Sequence, residues 1–409
     1  MPETTKSALW RGRTLALLGI LLVSANLRTA VAALSPIFAE IRTDIPLTSV
    51  GIGVLGMLPP ICFAVFGIVA PVFTRRASLE TVMVVALLVM LAGHVLRSLA
   101  GSFALLAAGS AVTFAGMAVG NVLLPPLVKR YFPDRIGLLT SLYATVMSVS
   151  TLLPPLIAVP VADGLGWRSS VGMWGVIAVL AVLPWIGVLL ARMPGEPHRA
   201  EVDEADPGAL GVWRTSIGWS LAVVFGVSAL NAYAMFAWLP QLLRETAGAD
   251  PVQSGALLSL FAAMGIPAGL LIPVLASRMR NVGWLIYAGI VFFVLGYGGL
   301  IFVPGSATWL WVTFAGLGPL LFPLCLVLIN LRTRTHAGAV ALSGFVQGVG
   351  YIIGAFGPLL VGVLHQATGA WTLPLVFLLL TALAAALAGA VVARPAKLED
   401  HLRERSAAR

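Results

Sequence analysis

The stretch MPGEPHRAEVDEADPGALGVWR, residues 193–214, separates two apolar halves of the chain. It is long, polar and acidic, in a sequence that is 59% hydrophobic and 10% charged and has a mean hydropathy of +0.99. A soluble domain carries about 25% charged residues. The composition therefore predicts an integral membrane protein, and the stretch predicts a linker that lies outside the membrane.

Six apolar runs lie on each side of this linker. Each is long enough to cross a bilayer, because a membrane helix needs roughly 20 mostly apolar residues. The twelve runs lie near residues 14–37, 48–72, 79–98, 103–127, 137–160, 169–192, 216–240, 252–276, 282–303, 307–330, 337–361 and 371–393. We therefore predict an all-α integral membrane protein of twelve transmembrane helices. Its expected parts are an N-terminal six-helix bundle (1–192), a cytoplasmic linker (193–215) and a C-terminal six-helix bundle with a cytoplasmic tail (216–409).

The two halves repeat weakly at an offset close to 204 residues. Single residues and short motifs recur in register: Pro36 with Pro240, Pro154 with Pro358, Trp167 with Trp371, and VSA at 23–25 with VSA at 227–229. Six spans, a linker and six similar spans of the same orientation are typical of transporters built from parallel repeats. In such transporters the solute binds between the halves near the midplane of the membrane.

The distribution of Lys and Arg predicts the orientation. With a cytoplasmic N-terminus, twenty of the 25 lie in cytoplasmic segments, and four lie in outer loops and helix ends: Arg42, Arg97, Arg168 and Arg244. The remaining one is Arg28. This bias predicts a multi-pass protein of the cell inner (plasma) membrane with both termini in the cytoplasm. It also explains the net charge of +9 without nucleic acid as a partner.

Arg28 is a charged residue in the middle of the first apolar run, where lipid would surround a membrane helix. All sixteen Asp and Glu are expected in loops, termini or the linker, so Arg28 has no carboxylate partner at its own depth. An intramembrane charge is a functional residue by default, and a guanidinium suits planar oxyanions. Arg28 is therefore the first candidate for contact with solute. The alternative is that it bonds helix carbonyls and holds the bundle together.

Other polar or adaptable residues at similar depth are further candidates for the solute site. Ser24 is expected on the helix face of Arg28, and Gln347 with Tyr351 is the best pair after Arg28. For any one of these residues, an interhelical hydrogen bond is an equal alternative. The full set of candidates is Arg28, Ser24, Asn26, Asn121, Tyr143, Met147, Asn231, Tyr233, Trp238, Gln347 and Tyr351.

The sequence lacks the motifs and residue clusters that several classes of function require. The two cysteines lie in apolar runs, no P-loop of the form GxxxxGK[ST] occurs, and neither an intramembrane Asp or Glu nor a cluster of His or Cys is expected to supply catalysis. We therefore expect that the protein is not an enzyme and that it binds no cofactor and no metal. The Gly/Pro-broken two-fold repeat favours alternating access over a channel. The expected partners are a small-molecule substrate and the lipid bilayer, with the protein functional as a monomer. Coupling to protons or to solute exchange stays open.

Several stretches resemble the cyanate porter family of the major facilitator superfamily, the type of cyanate permease and of the 2-nitroimidazole exporter. The most specific are NLR at 26–28, the block GNVLLP…KR.FPDR from Gly120 to Arg135, and GYIIGAFGPLLVG from Gly350 to Gly362. The resemblance implies a secondary transporter of a small anionic or planar polar solute. It places Arg28 on the family's first-helix arginine. The alternative function is export of nitroheterocyclic or hydrophobic drugs, which confers resistance.

Overall fold

All the predicted spans are helices in a computed structural model, which describes residues 13–191, 207–279, 281–393 and 397–399. Twelve helices are long and apolar enough to cross a membrane, which confirms the predicted fold class. They are α1 (Thr14–Arg42), α2 (Ser49–Thr74), α3 (Leu79–Ser98), α4 (Phe103–Tyr131), α5 (Ile136–Leu165), α6 (Trp167–Leu190), α7 (Ser216–Ala247), α8 (Pro251–Arg278), α9 (Gly283–Phe302), α10 (Thr308–Leu331), α11 (His336–Thr368) and α12 (Thr372–Val392).

Helix α1 is interrupted near its middle. Its first α-helical segment ends at Asn26, and a second begins at Thr29. Side chains next to the break bond to the backbone in place of a regular ladder: Asn26 Nδ2 donates to the Leu22 carbonyl at 2.8 Å, and Thr29 Oγ1 donates to the Asn26 carbonyl at 3.1 Å. Such local hydrogen bonds from side chains compete with the backbone hydrogen bonds of a regular helix. The interruption turns the chain at Leu27 and Arg28.

The repeat is visible in the helix bounds. Helix α3 (Leu79–Ser98) and helix α9 (Gly283–Phe302) correspond residue for residue at an offset of 204. Each position in one of these helices therefore has a structural counterpart in the other. This correspondence shows which residue types the shared architecture itself requires.

The two halves pack together on one side of the bundle. We call the side where α1 begins and α12 ends the terminal face, and the side where α1 ends and α2 begins the distal face. Near the distal face, α8 is so close to α5 that a Cβ on Gly255 would lie 2.3 Å from the Pro155 carbonyl oxygen. Ser259 Oγ donates to the Leu152 carbonyl at 2.7 Å. Bonds such as Ser49 Oγ···His365 Nδ1, at 3.3 Å, join α2 to α11.

Toward the terminal face the same helices separate. Ile68 on α2 and Leu270 on α8 are 68% and 62% exposed, and a Cβ on Gly344 of α11 would meet nothing within 4 Å. Packing between the halves is therefore dense on the distal side and open on the terminal side.

The expectation that every acidic residue lies outside the spans is wrong at four positions. Glu40, Asp163 and Glu245 lie where helices extend beyond the predicted apolar runs, and Glu80 lies in the first turn of α3, whose bounds equal those of the predicted run. Glu80 is fully buried, accepts a 2.6 Å hydrogen bond from the Tyr131 hydroxyl and pairs with Arg130 Nε at 3.4 Å. In the described part of the chain, the mid-depth of the membrane still carries no acid.

Most of the predicted linker and the terminal segments lie outside the described residues. Of the linker, Pro207–Arg214 forms a 3₁₀ helix, in which Val212 is buried. The domain boundaries at 192 and 216 remain a prediction.

The short segment 397–399, after α12, is hydrogen-bonded to the end of α10 and to the start of α11. Lys397 Nζ donates to the Leu331 carbonyl at 2.7 Å, and Glu399 Oε1 accepts from the backbone N–H groups of Arg334 and Thr335 at 2.9 and 3.1 Å. Partial burial of Glu399 opposes its ionisation, but these donors outweigh the effect and lower the pKa of its carboxyl below the usual 4.5. The positive end of the α11 dipole adds to this preference for the carboxylate.

We expect Glu399→Gln to lower the Tm by about 2 °C at pH 7. Because the pKa of Glu399 is lower in the folded protein, the stabilisation is complete above about pH 4.5 and is lost as the pH falls through the folded value. Thermal unfolding of both proteins between pH 3 and 7 checks this. The two melting curves should converge at the acid end, and a constant difference across the range would contradict the prediction.

Candidate functional site

The break in α1 presents Arg28 to the interface between the halves. Its backbone φ and ψ are −131° and −13°, outside the helical range, and its side chain is half-buried. Nη1 donates to the Tyr233 hydroxyl of α7 at 3.5 Å, and the guanidinium carbon lies 5.2 Å from the centre of the Phe63 ring of α2. A phenol and an aromatic face therefore hold this cation, where a carboxylate would be the usual partner.

Aromatic side chains extend this contact to a fourth helix. Tyr351 of α11 stacks on Phe63, with ring centres 5.6 Å apart, and also interacts with the Arg28 guanidinium. Phe225 packs edge-on against Tyr351 at 5.1 Å. Residues from α1, α2, α7 and α11, and hence from both halves, converge on Arg28.

A cavity of about 320 Å³ lies between the halves beside this cluster. Arg28 is the charged residue of its lining, and Tyr233 lies next to it. Three aromatic rings, those of Phe236, Phe261 and Phe322, form apolar walls. The volume is at the lower end of the range for small-molecule pockets, about 300–1,000 Å³, and suits a solute of a few to a dozen heavy atoms.

The other polar side chains of the lining are already hydrogen-bonded. Ser148 and Thr151 of α5 donate to carbonyls of their own helix at 2.9 and 2.8 Å, and Ser228 of α7 donates to the Pro319 carbonyl at 3.2 Å. The guanidinium fork of Arg28 is thus the strongest free recognition group of the cavity. It matches a planar oxyanion or a nitro group.

Four of the predicted site residues come together here. Arg28, Tyr233 and Met147 line the cavity, and Tyr351 lies in the aromatic cluster beside Arg28. Asn121 and Tyr143 are half-buried and are not among the residues that line the cavity.

Other predicted residues are engaged elsewhere. The expectation that Ser24 shares a face with Arg28 is wrong, because the break in α1 interrupts the helical spacing between them. Ser24 is buried and donates to the Ile20 carbonyl at 2.7 Å. Trp238 Nε1 donates to the Pro358 carbonyl at 2.9 Å, and Gln347 Nε2 donates to Ser343 Oγ at 2.7 Å. Asn26 takes part in the break itself.

Asn231 lies in a network of hydrogen bonds inside the C-terminal half. It donates to the Val227 carbonyl and to Thr381 Oγ1 at 2.9 and 3.2 Å, and accepts from the Tyr297 hydroxyl at 2.8 Å. Because the residue is fully buried, these bonds satisfy groups that would otherwise be unpaired in the bundle. The network joins α7, α9 and α12.

We expect Asn231→Leu to destabilise the protein by about 1–3 kcal/mol, because it leaves the Tyr297 hydroxyl and Thr381 without their partner. Solute affinity of the folded protein should stay unchanged, since Asn231 does not line the cavity. Thermal unfolding together with a binding isotherm separates the two effects. A loss of affinity at unchanged Tm would place Asn231 in the site.

Several residues of the cavity and of the aromatic cluster beside it were not among the sequence candidates. Phe236, Phe261 and Phe322 of the cavity and Phe63 of the cluster are aromatic residues in apolar runs, and nothing in their spacing separates them from packing residues. Their role depends on which helices meet, and only the packed structure shows that. In the described part of the chain, no group of three His, Cys, Asp or Glu side chains could hold a metal ion.

Comparison with known proteins agrees with this architecture. The chain is 33% identical to the 2-nitroimidazole transporter of Escherichia coli (strain K12), over 94% of this chain and 96% of the relative. It is 27% identical to the cyanate transport protein CynX of the same organism, over 86% and 90%. A bacterial homologue of the human lysosomal transporter Spinster, solved in an inward-facing and occupied conformation, superposes with a TM-score of 0.77. That likeness covers 95% of this chain and 98% of the other at 16% identity.

The family model described as Major Facilitator Superfamily matches residues 17–355. Those residues include the break in α1, both walls of the central cavity and most of α11. Twelve spans in two repeated halves, with a cavity between them, are the architecture of that superfamily. The chain is a transporter and not an enzyme, and it belongs to the Major Facilitator Superfamily.

Proposed function

We propose that this transporter carries a small anionic or planar polar solute, cyanate-like or a related organic anion, by alternating access. The observation that carries the proposal is Arg28. It is a guanidinium at a helix break in the central cavity, held by a phenol and an aromatic ring. Its partners leave the positive charge uncompensated, so an anion that enters the cavity gains a charge–charge interaction that no carboxylate of the lining offsets. The relative named as a cyanate transport protein supports this class of solute.

A second candidate function is export of nitroheterocyclic or hydrophobic drugs. The apolar walls formed by Phe236, Phe261 and Phe322 favour it, because flat aromatic solutes stack on such rings. In this case Arg28 would grip a nitro group. The relative named as a 2-nitroimidazole transporter supports this class.

We further propose that the terminal face is cytoplasmic and that the protein lies in the plasma membrane. The excess of Lys and Arg in segments expected on that side supports the orientation. With this orientation, the central cavity of the described conformation is open to the cytoplasm and closed to the exterior. The halves would then exchange access by rocking about the aromatic cluster at Arg28.

Flux measurements in proteoliposomes test the proposal. Purified protein is reconstituted, and uptake of cyanate, nitrite and 2-nitroimidazole is followed with and without the same solute inside. A carrier gives saturable flux that is accelerated by internal solute, whereas a channel gives neither. Preference for the two anions would support the first function, and preference for 2-nitroimidazole would support the second. Absence of flux and of ligand-dependent thermal stabilisation with all three would overturn both.

A further inference from the structure

A second arginine, Arg97, is completely buried in the N-terminal half. The sequence predicted it at an outer helix end; it does lie in the last turn of α3, but its side chain runs inward between α1 and α4. Gly109 of α4 makes room for it, because a Cβ there would lie 2.8 Å from the Arg97 backbone nitrogen and 3.1 Å from its Cγ. The sequence therefore accommodates this long side chain in the bundle.

Arg97 has few partners for a buried charge. Nη2 lies 3.5 Å from the Ala30 carbonyl oxygen, and the guanidinium carbon is 5.7 Å from the centre of the Phe114 ring. Among the described residues, Nε and Nη1 have no hydrogen-bond partner, and no carboxylate pairs with the group. A buried charge without a partner costs several kcal/mol.

The fold does not require a charge at this place. At the repeat offset of 204, Arg97 of α3 corresponds to Ile301 of α9. The C-terminal half builds the same helix end with an aliphatic side chain. A costly residue that the architecture does not need points to a role in function.

A small cavity lies next to residues that contact Arg97, on the distal side of Arg28. Its volume is about 20 Å³, enough for one water-sized particle. Ala30 and Phe114, the two contacts of Arg97, form part of its wall, as does Ser35, whose buried hydroxyl has no partner in the described structure. Tyr233, the hydrogen-bond partner of Arg28, lines both this cavity and the central one.

We propose that this small cavity is a second anion subsite, between Arg97 and Tyr233, on the route from Arg28 to the distal face. Arg97 acts through the wall formed by Ala30 and Phe114, and its uncompensated charge makes the subsite favourable for a monovalent anion. At about 20 Å³, the subsite has room for one water-sized group of that anion at a time. The Ser35 and Tyr233 hydroxyls supply hydrogen-bond donors. The subsite rests on the proposed anion function and extends it, since two positive charges in series along one path select for anions along its length.

The test compares Arg97→Met with Arg97→Lys, using chloride, nitrite and cyanate as probes. Arg97→Met should leave the Tm in anion-free buffer unchanged or raise it, because it removes an unpaired buried charge. The same variant should lose at least tenfold in nitrite and cyanate flux while it keeps flux of neutral 2-nitroimidazole. Arg97→Lys should retain part of the anion flux.

The matched control is Arg332→Met. Arg332 is a buried arginine that donates to the Val392 carbonyl at 2.8 Å, so its loss should lower the Tm without a change in anion selectivity.

Anion-dependent thermal stabilisation of the wild type, Arg28→Met and Arg97→Met distinguishes a failure of the proposed anion function from a failure of the Arg97 subsite alone. If no anion stabilises the wild type, the proposed anion function fails and the subsite fails with it. If Arg28→Met loses the response and Arg97→Met keeps both the response and the wild-type anion flux, the subsite alone is overturned. An Arg97→Met variant that does not fold would make Arg97 a structural residue and would also overturn the subsite.

Discussion

Replacing Arg28 with methionine should weaken binding of the transported anion by about 10- to 150-fold. Hydrogen bonds to charged groups contribute about 1.5–3 kcal/mol each, and Arg28 supplies the only charge in the lining of the central cavity described here. Methionine has a similar length and keeps the packing against Phe63. Binding isotherms and proteoliposome flux of the same preparation measure the loss. The Tm should change little, because the bond to Tyr233 is long, at 3.5 Å.

Two further variants sharpen this test. Tyr233→Phe removes the hydroxyl that Arg28 contacts but keeps the ring, so it should reduce affinity by less than Arg28→Met does. Arg28→Lys keeps the charge and removes the planar fork, so discrimination between planar and spherical anions should fall more than affinity. If Arg28→Met binds and transports as the wild type does, Arg28 holds the bundle together and does not contact solute.

Replacing Gly255 with valine should abolish most transport by opposing closure of the distal side. A Cβ at this position of α8 would lie 2.3 Å from the Pro155 carbonyl oxygen of α5, and neither backbone can yield without separating the halves. Overpacking of this kind costs about 1–3 kcal/mol. Because this overpacking destabilises only the distal-closed state, it shifts the equilibrium between the distal-closed and distal-open states by about 5- to 150-fold toward the distal-open one.

Distances between spin labels on the two halves report this shift directly. In Gly255→Val the distribution on the distal side should broaden toward longer distances, and flux should fall more than tenfold. The matched control is Gly298→Val on the peripheral helix α9, where an added Cβ meets nothing within 4 Å. It introduces the same β-branched residue into a helix with no neighbour to displace. Unchanged distances and flux in Gly255→Val would show that α5 and α8 are not a moving contact.

Much of the site was accessible from the sequence, for one reason. A side chain with a polar group in an apolar run is conspicuous, so Arg28, Tyr233 and Tyr351 stand out by residue type and position alone. The same rule also selected Asn231 and Trp238, because depth in the membrane does not tell whether a polar group faces the cavity or a neighbouring helix. Ser24 was misplaced for a local reason: the hydrogen bonds of Asn26 and Thr29 interrupt the helix between it and Arg28.

The sequence by itself determined the class of protein, the number of spans and the repeat. These follow from the one-dimensional distribution of apolar and charged residues, since a bilayer requires about 20 apolar residues per helix wherever the helix packs. Only the tertiary structure decided which polar groups meet. It placed Phe63 under Arg28, drew Arg97 into the bundle beside Ala30, and closed the halves at Gly255. Such contacts join residues far apart in the chain, and their geometry depends on how helices rotate and break, which hydropathy does not record.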